Sequence, residues 1–354
     1  MKSNFLEILT EDLIIKVLLF FILMFPVILL IGSAIINSSI VLMNIFFLIH
    51  IINKKKYKIF KNDIFYFLIA LWFFLILNTI LNDNFNENYS RSFGFIRFVL
   101  LIFLFAYMLT YKNYRFKRLV FNVWLTIFVI VTLDLIFEFF FSFNTLGFKS
   151  NFNGRLVGFM GEQLKIGHWY LCFALIILAS LFNQHKIFFF LLSLSVIISF
   201  IIGERANFIR FLAAIVFLII ITRFLTFKIL ASLTATAIII FSLIAIFDKN
   251  KDNAIKARYF SEIYNILKKD SVQEMNNNNS YTPLYFNAYD LFKKNKLLGV
   301  GIGSYPLKSY ENFKINNKIN GYNILANTHP HQFHFEILAT LGLPGYLFIL
   351  LFFL

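Results

Sequence analysis

Long apolar segments recur along the chain and are separated by short polar stretches. A helix needs about 20 apolar residues to cross a hydrocarbon core of ~30 Å. About ten segments approach this length, at residues 13–34, 38–53, 64–81, 95–111, 119–141, 166–183, 187–203, 207–223, 228–247 and 335–354. Several are short, which favours thin or tilted spans. The pattern predicts an all-α, polytopic integral membrane protein with about ten transmembrane helices.

The long polar stretch 248–334 divides this pattern. We expect a nine-span bundle in residues 1–247, a large loop in 248–334 and a final span in 335–354, which looks cut short because the apolar run continues to Leu354. Within the loop, residues 284–306 carry apolar positions at helical spacing and end in glycines and a proline, which predicts a short amphipathic helix on the membrane surface.

Composition agrees with a membrane protein, because 59% of the 354 residues are hydrophobic and only 14% are charged. A soluble domain has roughly a quarter of its residues charged. The formal net charge of +15 does not indicate nucleic acid as a partner, because the basic residues lie in short loops between spans. The single cysteine, Cys172, allows no intrachain disulfide.

The basic loops set the expected orientation. Residues 54–61 and 112–118 are rich in Lys and Arg, so the positive-inside rule places them and the N-terminus in the cytoplasm. Strict alternation then puts 142–165, the turn 203–205 and the long loop 248–334 on the outer side of the membrane.

Charged residues at a membrane edge are costly, by roughly 2.5–3.5 kcal/mol each on insertion scales, and are often functional. Arginine suits phosphate oxygens, and a neutral histidine can accept a proton at ordinary pH. We therefore expect an outer-face pocket, although a flanking arginine more commonly reaches to lipid headgroups. The candidates on that side are Arg155, Glu162, Glu204, Arg205, Arg258, His329, His331 and His334.

Two further motifs could be taken for ligand-binding sites. The histidines could ligate zinc together with Glu336, but Pro330 breaks regular order between the first two, so no metal and no cofactor are expected. The sequence GVGIG at 299–303 lacks the lysine and the preceding strand of a phosphate loop, and it predicts a backbone bend.

Four ordered patches together point to a family. They are GRLVGFMGEQLKIGHWYL (154–171), GERANFI (203–209), NAYDLFKKNKLLGVGIGSYP (287–306) and HPHQFHFEILATLGLPG (329–345). In this order they resemble the O-antigen ligase and O-antigen polymerase superfamily of bacterial envelope proteins. The last two patches carry the specific part of the resemblance.

The resemblance implies transfer of a glycan from an undecaprenyl-diphosphate carrier on the periplasmic face of the inner membrane, without metal or nucleotide sugar. The acceptor is a glycan or the lipid A core. Arg205 matches the arginine thought to hold the diphosphate, His331 the candidate general base, and His329 the histidine before it. Gln332 replaces the family's usual Asn and keeps the amide, while Glu162 and Glu204 are candidate supporting residues.

The sequence also departs from the family. Tyr281 occupies the slot of a second arginine, so the second diphosphate contact must come from Arg258 or Arg155 or be absent, and Thr340 replaces an acidic residue. Ligase and polymerase are not separable from the sequence; we favour ligase. A transporter or lipid flippase is the alternative from another class, and Asp134 and Glu138, one turn apart, are its best feature. A non-catalytic assembly subunit does not explain the clustered histidines.

Overall fold

The computed structural model describes residues 13–82, 85–111, 114–182, 184–222, 234–240, 242, 259, 281–319 and 321–352. This part of the chain is nearly all helical, which confirms the predicted class. Its helices are α1 (Leu13–Ile31), α2 (Ser33–Asn53), α3 (Asp63–Ile80), α4 (Phe85–Gly94), α5 (Ile96–Tyr111), α6 (Tyr114–Phe141), α7 (Ile166–Leu181), α8 (His185–Ile201), α9 (Arg205–Thr222), α10 (Thr282–Lys294), α11 (Tyr305–Ile315) and α12 (Phe333–Leu351). Two 3₁₀ turns, Tyr57–Phe60 and Gly158–Gln163, and the two-residue strands β1 (Lys318–Ile319) and β2 (Tyr322–Asn323) complete it. The strands pair antiparallel.

Within the described residues, six helices are long and apolar enough to cross a membrane: Leu13–Ile31, Ser33–Asn53, Asp63–Ile80, Tyr89–Thr110, Phe116–Phe141 and Phe333–Leu351. Two shorter apolar helices, Ile166–Leu181 and Lys186–Ile201, lie where spans are predicted. The chain is therefore a multi-pass membrane protein. The count of ten and the side of the long loop stay predictions; of segment 228–247 the structure describes only 234–240 and 242.

The stretch 284–306 is not one helix. Helix α10 covers most of it and ends at Lys294, a glycine-containing turn follows, and α11 begins at Tyr305. Both helices have proline in their first turn, where the missing N–H costs no intrahelical hydrogen bond.

The described residues form two compact units, one within Met1–His50 and Met108–Ile263, the other within Ile51–Tyr107 and Tyr264–Leu354. In the first unit, Pro26 lies inside α1 and cannot donate to the Ile22 carbonyl one turn earlier. The indole of Trp124 on α6 donates to that carbonyl at 2.9 Å, and Trp169 on α7 donates to the Pro26 carbonyl at 2.9 Å. Tryptophan side chains thus tie α1 to its neighbours where the helix lacks its own donor.

In the second unit, α12 is broken at Gly342, which has φ 69° and ψ −171°. Backbone hydrogen bonds join the break to the glycine turn: Val300 N–H donates to Ala339 O at 2.8 Å, and Gly301 N–H to Thr340 O at 3.0 Å. A Cβ at Gly299 would lie 2.4 Å from the Thr340 carbonyl carbon, so only glycine fits there. The GVGIG sequence is a backbone bend, as predicted, and it satisfies carbonyls freed by the broken helix.

Candidate functional site

Asp134 and Glu138 anchor the loop that follows α6. The Glu138 carboxylate accepts hydrogen bonds from the Val157 and Gly158 amides at 2.9 and 2.8 Å. Asp134 Oδ1 accepts from the Thr145 amide at 2.9 Å and from its hydroxyl at 2.5 Å. Both carboxyl groups are buried. They hold this loop in place. This structural function explains the two buried carboxyl groups without the ion path that the transporter alternative needs.

The end of this loop packs on the turn between α8 and α9. Leu156 N–H donates to Ile202 O at 3.0 Å. Gly203, with φ +77°, lies so close that a Cβ there would be 1.9 Å from the Gly154 carbonyl oxygen. Two sequence patches that are about 50 residues apart, GRL and GER, are therefore in direct backbone contact.

This contact brings Arg155 to Glu204. Arg155 Nη2 lies 3.2 Å from Glu204 Oε1 and also donates to the Leu164 carbonyl at 2.8 Å. The Gly167 amide donates to the same carboxylate oxygen at 3.2 Å. Glu204 is only 7% exposed, so its charge is held by these partners. Arg155 is consequently an ion-pair partner within the protein as well as a candidate phosphate ligand.

Asn207 and His168 complete what we call the Glu204 cluster, which consists of Arg155, His168, Glu204, Asn207 and Arg210. The Asn207 amide nitrogen donates to Glu204 Oε2 and lies 2.9 Å from His168 Nδ1. Arg210 Nη1 donates to Asn207 Oδ1 at 3.2 Å. His168 and Asn207 were not predicted as site residues from the sequence. The features that could have indicated them are a histidine in the first quoted patch and an asparagine three residues after Glu204.

The electrostatics of the Glu204 cluster favour the carboxylate form. Burial raises the pKa of Glu204, but the His168 hydrogen bond, the Gly167 amide and the Arg155 charge outweigh burial and lower the pKa below its ordinary value. Arg205 follows Glu204 directly, begins α9 and is partly exposed. Arg155 contacts Glu204, Arg210 contacts Asn207 and Arg205 follows Glu204 in the sequence, so these residues carry more positive than negative charge.

Two predicted residues cannot be placed in this way. Arg258 lies outside the described residues. Glu162 belongs to the 3₁₀ turn Gly158–Gln163, but its side chain lies outside the described part of the chain.

In the second unit, a buried polar network lies under the histidine segment. Asn287 on α10 donates to the carbonyl of Ser309 on α11 at 3.1 Å and to Leu325 O at 2.9 Å. Asn312 donates to Asn287 Oδ1 at 2.8 Å. The Ser309 hydroxyl accepts from the Asn327 amide at 3.2 Å, next to the histidines. Helices α10 and α11 therefore hold the start of the segment in place.

His331 has a left-handed backbone, with φ +58°, and an exposed side chain. Its Nε2 lies 3.2 Å from Asn327 Nδ2. Because Asn327 Oδ1 accepts from the Thr328 amide at 2.7 Å, the Asn327 NH₂ group faces the ring, so Nε2 carries the lone pair of a neutral imidazole. Partial burial and the neighbouring His329 lower the pKa of His331. His331 is thus an accessible, uncharged proton acceptor at neutral pH.

The other histidines have different surroundings. The ring centroids of His329 and His331 are 4.0 Å apart, and Thr328 Oγ1 lies 3.0 Å from His329 Nδ1. His334 instead contacts the Tyr346 hydroxyl through Nδ1 at 3.0 Å, within its own helix. Tyr281, in the family's arginine slot, makes an edge contact with His331 at 5.4 Å between centroids.

Gln332 caps α12, because its side-chain oxygen accepts from the Phe335 amide at 2.6 Å. It therefore fixes the position at which the histidine segment becomes a helix. Among the residues that the structure describes, no group of three His, Cys, Asp or Glu side chains is placed to hold a metal ion.

The fold and these clusters define a multi-pass membrane protein with an accessible histidine and an arginine-rich polar cluster. Residues 187–350 match the family model described as O-Antigen ligase, a range that contains Glu204, Arg205 and His331. No curated protein matches the sequence. This match supports the resemblance to the O-antigen ligase and polymerase superfamily that the four sequence patches indicate, and members of this family are membrane glycosyltransferases.

Proposed function

We propose that the protein is an O-antigen ligase-family glycosyltransferase. It transfers an undecaprenyl-diphosphate-linked oligo- or polysaccharide to a glycan or lipid A-core acceptor at the periplasmic face of the inner membrane. The observation that carries the proposal is His331, an exposed histidine whose Nε2 lone pair is oriented by Asn327 and whose pKa is lowered, inside the region that matches the family.

His331 is the general base in this proposal. Its Nε2 removes the proton of an acceptor hydroxyl, and the long hydrogen bond from Asn327, 3.2 Å, is weak enough for that hydroxyl to replace it. The acceptor oxygen attacks the anomeric carbon and inverts it, and the carbon–oxygen bond to the diphosphate breaks. The leaving diphosphate keeps the electron pair, and the proton passes from His331 to solvent.

Arginine side chains stabilise the diphosphate as its charge develops. Arg205 is the first ligand, because it is partly exposed at the start of α9 and its planar guanidinium offers paired donors to phosphate oxygens. Arg155 contributes its positive field, although Glu204 and the Leu164 carbonyl engage one of its amino groups. Arg258 and Glu162 stay candidates from the sequence.

The remaining predicted residues position these groups. His329 lies against the His331 ring, Gln332 caps the helix that follows, and Glu204 holds the Arg155 guanidinium. None of these three needs to contact the substrate for the proposal to hold.

The test is His331→Ala expressed in a strain that lacks its own enzyme, scored by lipopolysaccharide banding. We expect long chains to disappear while lipid-linked glycan accumulates. His334→Gln is the matched control, because His334 contacts the Tyr346 hydroxyl within its own helix and the variant is expected to keep the ladder. A normal ladder from His331→Ala at wild-type protein level contradicts the proposal. Loss of long chains with single repeats still attached to the core would indicate the polymerase alternative instead.

A further inference from the structure

His168 is the exposed member of the Glu204 cluster, and the proposed mechanism does not use it. It lies in the first turn of α7, and its side chain is 62% exposed. Its Nδ1 atom faces inward, 2.9 Å from Asn207 Nδ2 and 3.5 Å from Glu204 Oε2. Asn207 is 2% exposed and Glu204 is 7% exposed, so buried groups hold an accessible ring.

The neighbours determine which nitrogen of His168 carries a proton. Arg210 donates to Asn207 Oδ1, so the NH₂ group of Asn207 must face Glu204 and His168. In the neutral ring, Nδ1 accepts from Asn207 and Nε2 carries the hydrogen. In the protonated ring, Nδ1–H points to Glu204 and Nε2 carries a hydrogen as well. In both states the outer nitrogen is a donor, unlike Nε2 of His331.

The surroundings of this donor favour an anion. Arg155 contacts Glu204, Arg210 contacts Asn207, Arg205 follows Glu204 and Lys165 precedes α7 by one residue, whereas Glu204 is the one carboxylate that these contacts include. The loop that precedes α7 is held by Glu138 at Val157 and Gly158 and by Ile202 at Leu156. The ring is therefore held in position before any ligand binds, which lowers the entropic cost of binding.

We propose that His168 is a ligand-contacting residue whose Nε2–H donates to a phosphate oxygen. The ligand class is a phosphoryl anion, and within the proposed function, on which this inference rests, it is the diphosphate of the lipid-linked donor. Asn207 and Glu204 act as positioning residues, because they reach the ligand only through His168. An anionic phospholipid headgroup has the same chemistry and is the other source to be distinguished.

Binding is measured on the full chain in nanodiscs of phosphatidylcholine, with farnesyl diphosphate, inorganic diphosphate and phosphatidylglycerol as separate probes. Loss of one hydrogen bond to a charged group weakens binding roughly tenfold. We expect His168→Leu to lose about this factor for farnesyl diphosphate, and His168→Gln to keep most of the affinity because its amide can still donate at that distance. Asn207→Leu should lose affinity like His168→Leu.

Lys308→Gln is the control for general loss of positive charge, because Lys308 forms an exposed ion pair with Glu311 in the other unit. It is expected to bind all probes as the wild type does. Thermal unfolding of each variant separates loss of the ligand contact from loss of the fold. If His168→Leu fails to fold, His168→Gln still tests the inference, because it keeps the polar contact.

The outcomes discriminate clearly. Wild-type affinity of His168→Leu for farnesyl diphosphate, or an equal loss in His168→Gln, overturns the inference. A loss for phosphatidylglycerol alone assigns His168 to a lipid headgroup and overturns the donor contact. His331→Ala should bind farnesyl diphosphate normally while transfer is lost, so failure of the general-base proposal and failure of the His168 contact give different results.

Discussion

His329 and His331 lie with their ring centroids 4.0 Å apart, across the buried Pro330. Burial first, and the charge of His329 second, lower the pKa of His331. Burial and the nearby His329 together therefore favour the neutral form of the His331 ring, and Pro330 keeps the segment from forming a regular helix that would point the rings in different directions.

A first prediction concerns pH. The proposed mechanism requires neutral His331, so we expect the transfer rate to fall as pH decreases through its pKa, which lies below the ordinary value of 6.5. His329→Gln removes the neighbouring charge and raises that pKa, so the acidic limb of the pH–rate profile moves to higher pH. The measurement is transfer rate against pH for both proteins; an acidic limb that stays in place or moves to lower pH contradicts this arrangement.

A second prediction concerns the Glu204 carboxylate. Glu204→Gln removes the negative charge between Arg155 and His168 and should destabilise the first unit by roughly 3 kcal/mol, since a buried pair loses one partner. The pKa of Glu204 is lowered, so its contribution is present above the ordinary value of 4.5 and is lost as pH falls through the folded value.

The measurement for Glu204→Gln is the apparent melting temperature at neutral pH. Glu311→Gln is the control, because its exposed pair with Lys308 contributes only about 0–1 kcal/mol. Equal melting temperatures of the two variants would show that the Glu204 cluster does not hold the loop.

A third prediction uses two glycines with positive φ. Gly203→Ala and Gly147→Ala both place a side chain at positive φ, +77° and +85°, which costs about 1–2 kcal/mol. Only at Gly203 does the new Cβ meet backbone, 1.9 Å from Gly154 O, while nothing lies within 4 Å at Gly147. Thermal unfolding should show a much larger loss for Gly203→Ala. Similar losses would mean that the two loops do not pack in this way.

A fourth prediction tests the indole contact with α1. Trp124→Phe leaves the Ile22 carbonyl without its donor and should cost about 1–3 kcal/mol beyond any packing change. Pro26→Ala supplies a backbone N–H to the same carbonyl, so Trp124→Phe should cost less in that background. A double-mutant cycle on thermal stability measures this coupling, and strictly additive losses would exclude it.

Much of the fold follows from local sequence. Apolar length and helical periodicity predict where α1, α3, α6 and α12 lie, because a membrane helix satisfies its own backbone and its signal is contained in one segment. The glycines of GVGIG predict a bend for the same reason, since the need for positive φ belongs to single residues. The resemblance to the family also follows from short motifs, and the match of residues 187–350 to the family model supports it.

The polar contacts do not follow from local sequence. Asp134 and Glu138 suggest an ion path by their spacing, yet Thr145, Val157 and Gly158 take up their hydrogen bonds. Arg155 has the residue type of a phosphate ligand, yet it is paired with Glu204 far along the chain. His168 and Asn207 lie in the quoted patches, but nothing in their spacing predicts that they contact each other.

The sequence by itself determined the membrane class and most helix positions, and its motifs predicted the family resemblance and His331 as the candidate base. Tertiary structure alone decided which of the described charges are paired, which are buried, and which nitrogen of His168 faces inward. The physical reason is that hydropathy and backbone preference act over a few residues, whereas the proton position of a side chain depends on its partners in space. Asn207 and Glu204 are such partners, and they reach His168 only through the packing of α7 against α9.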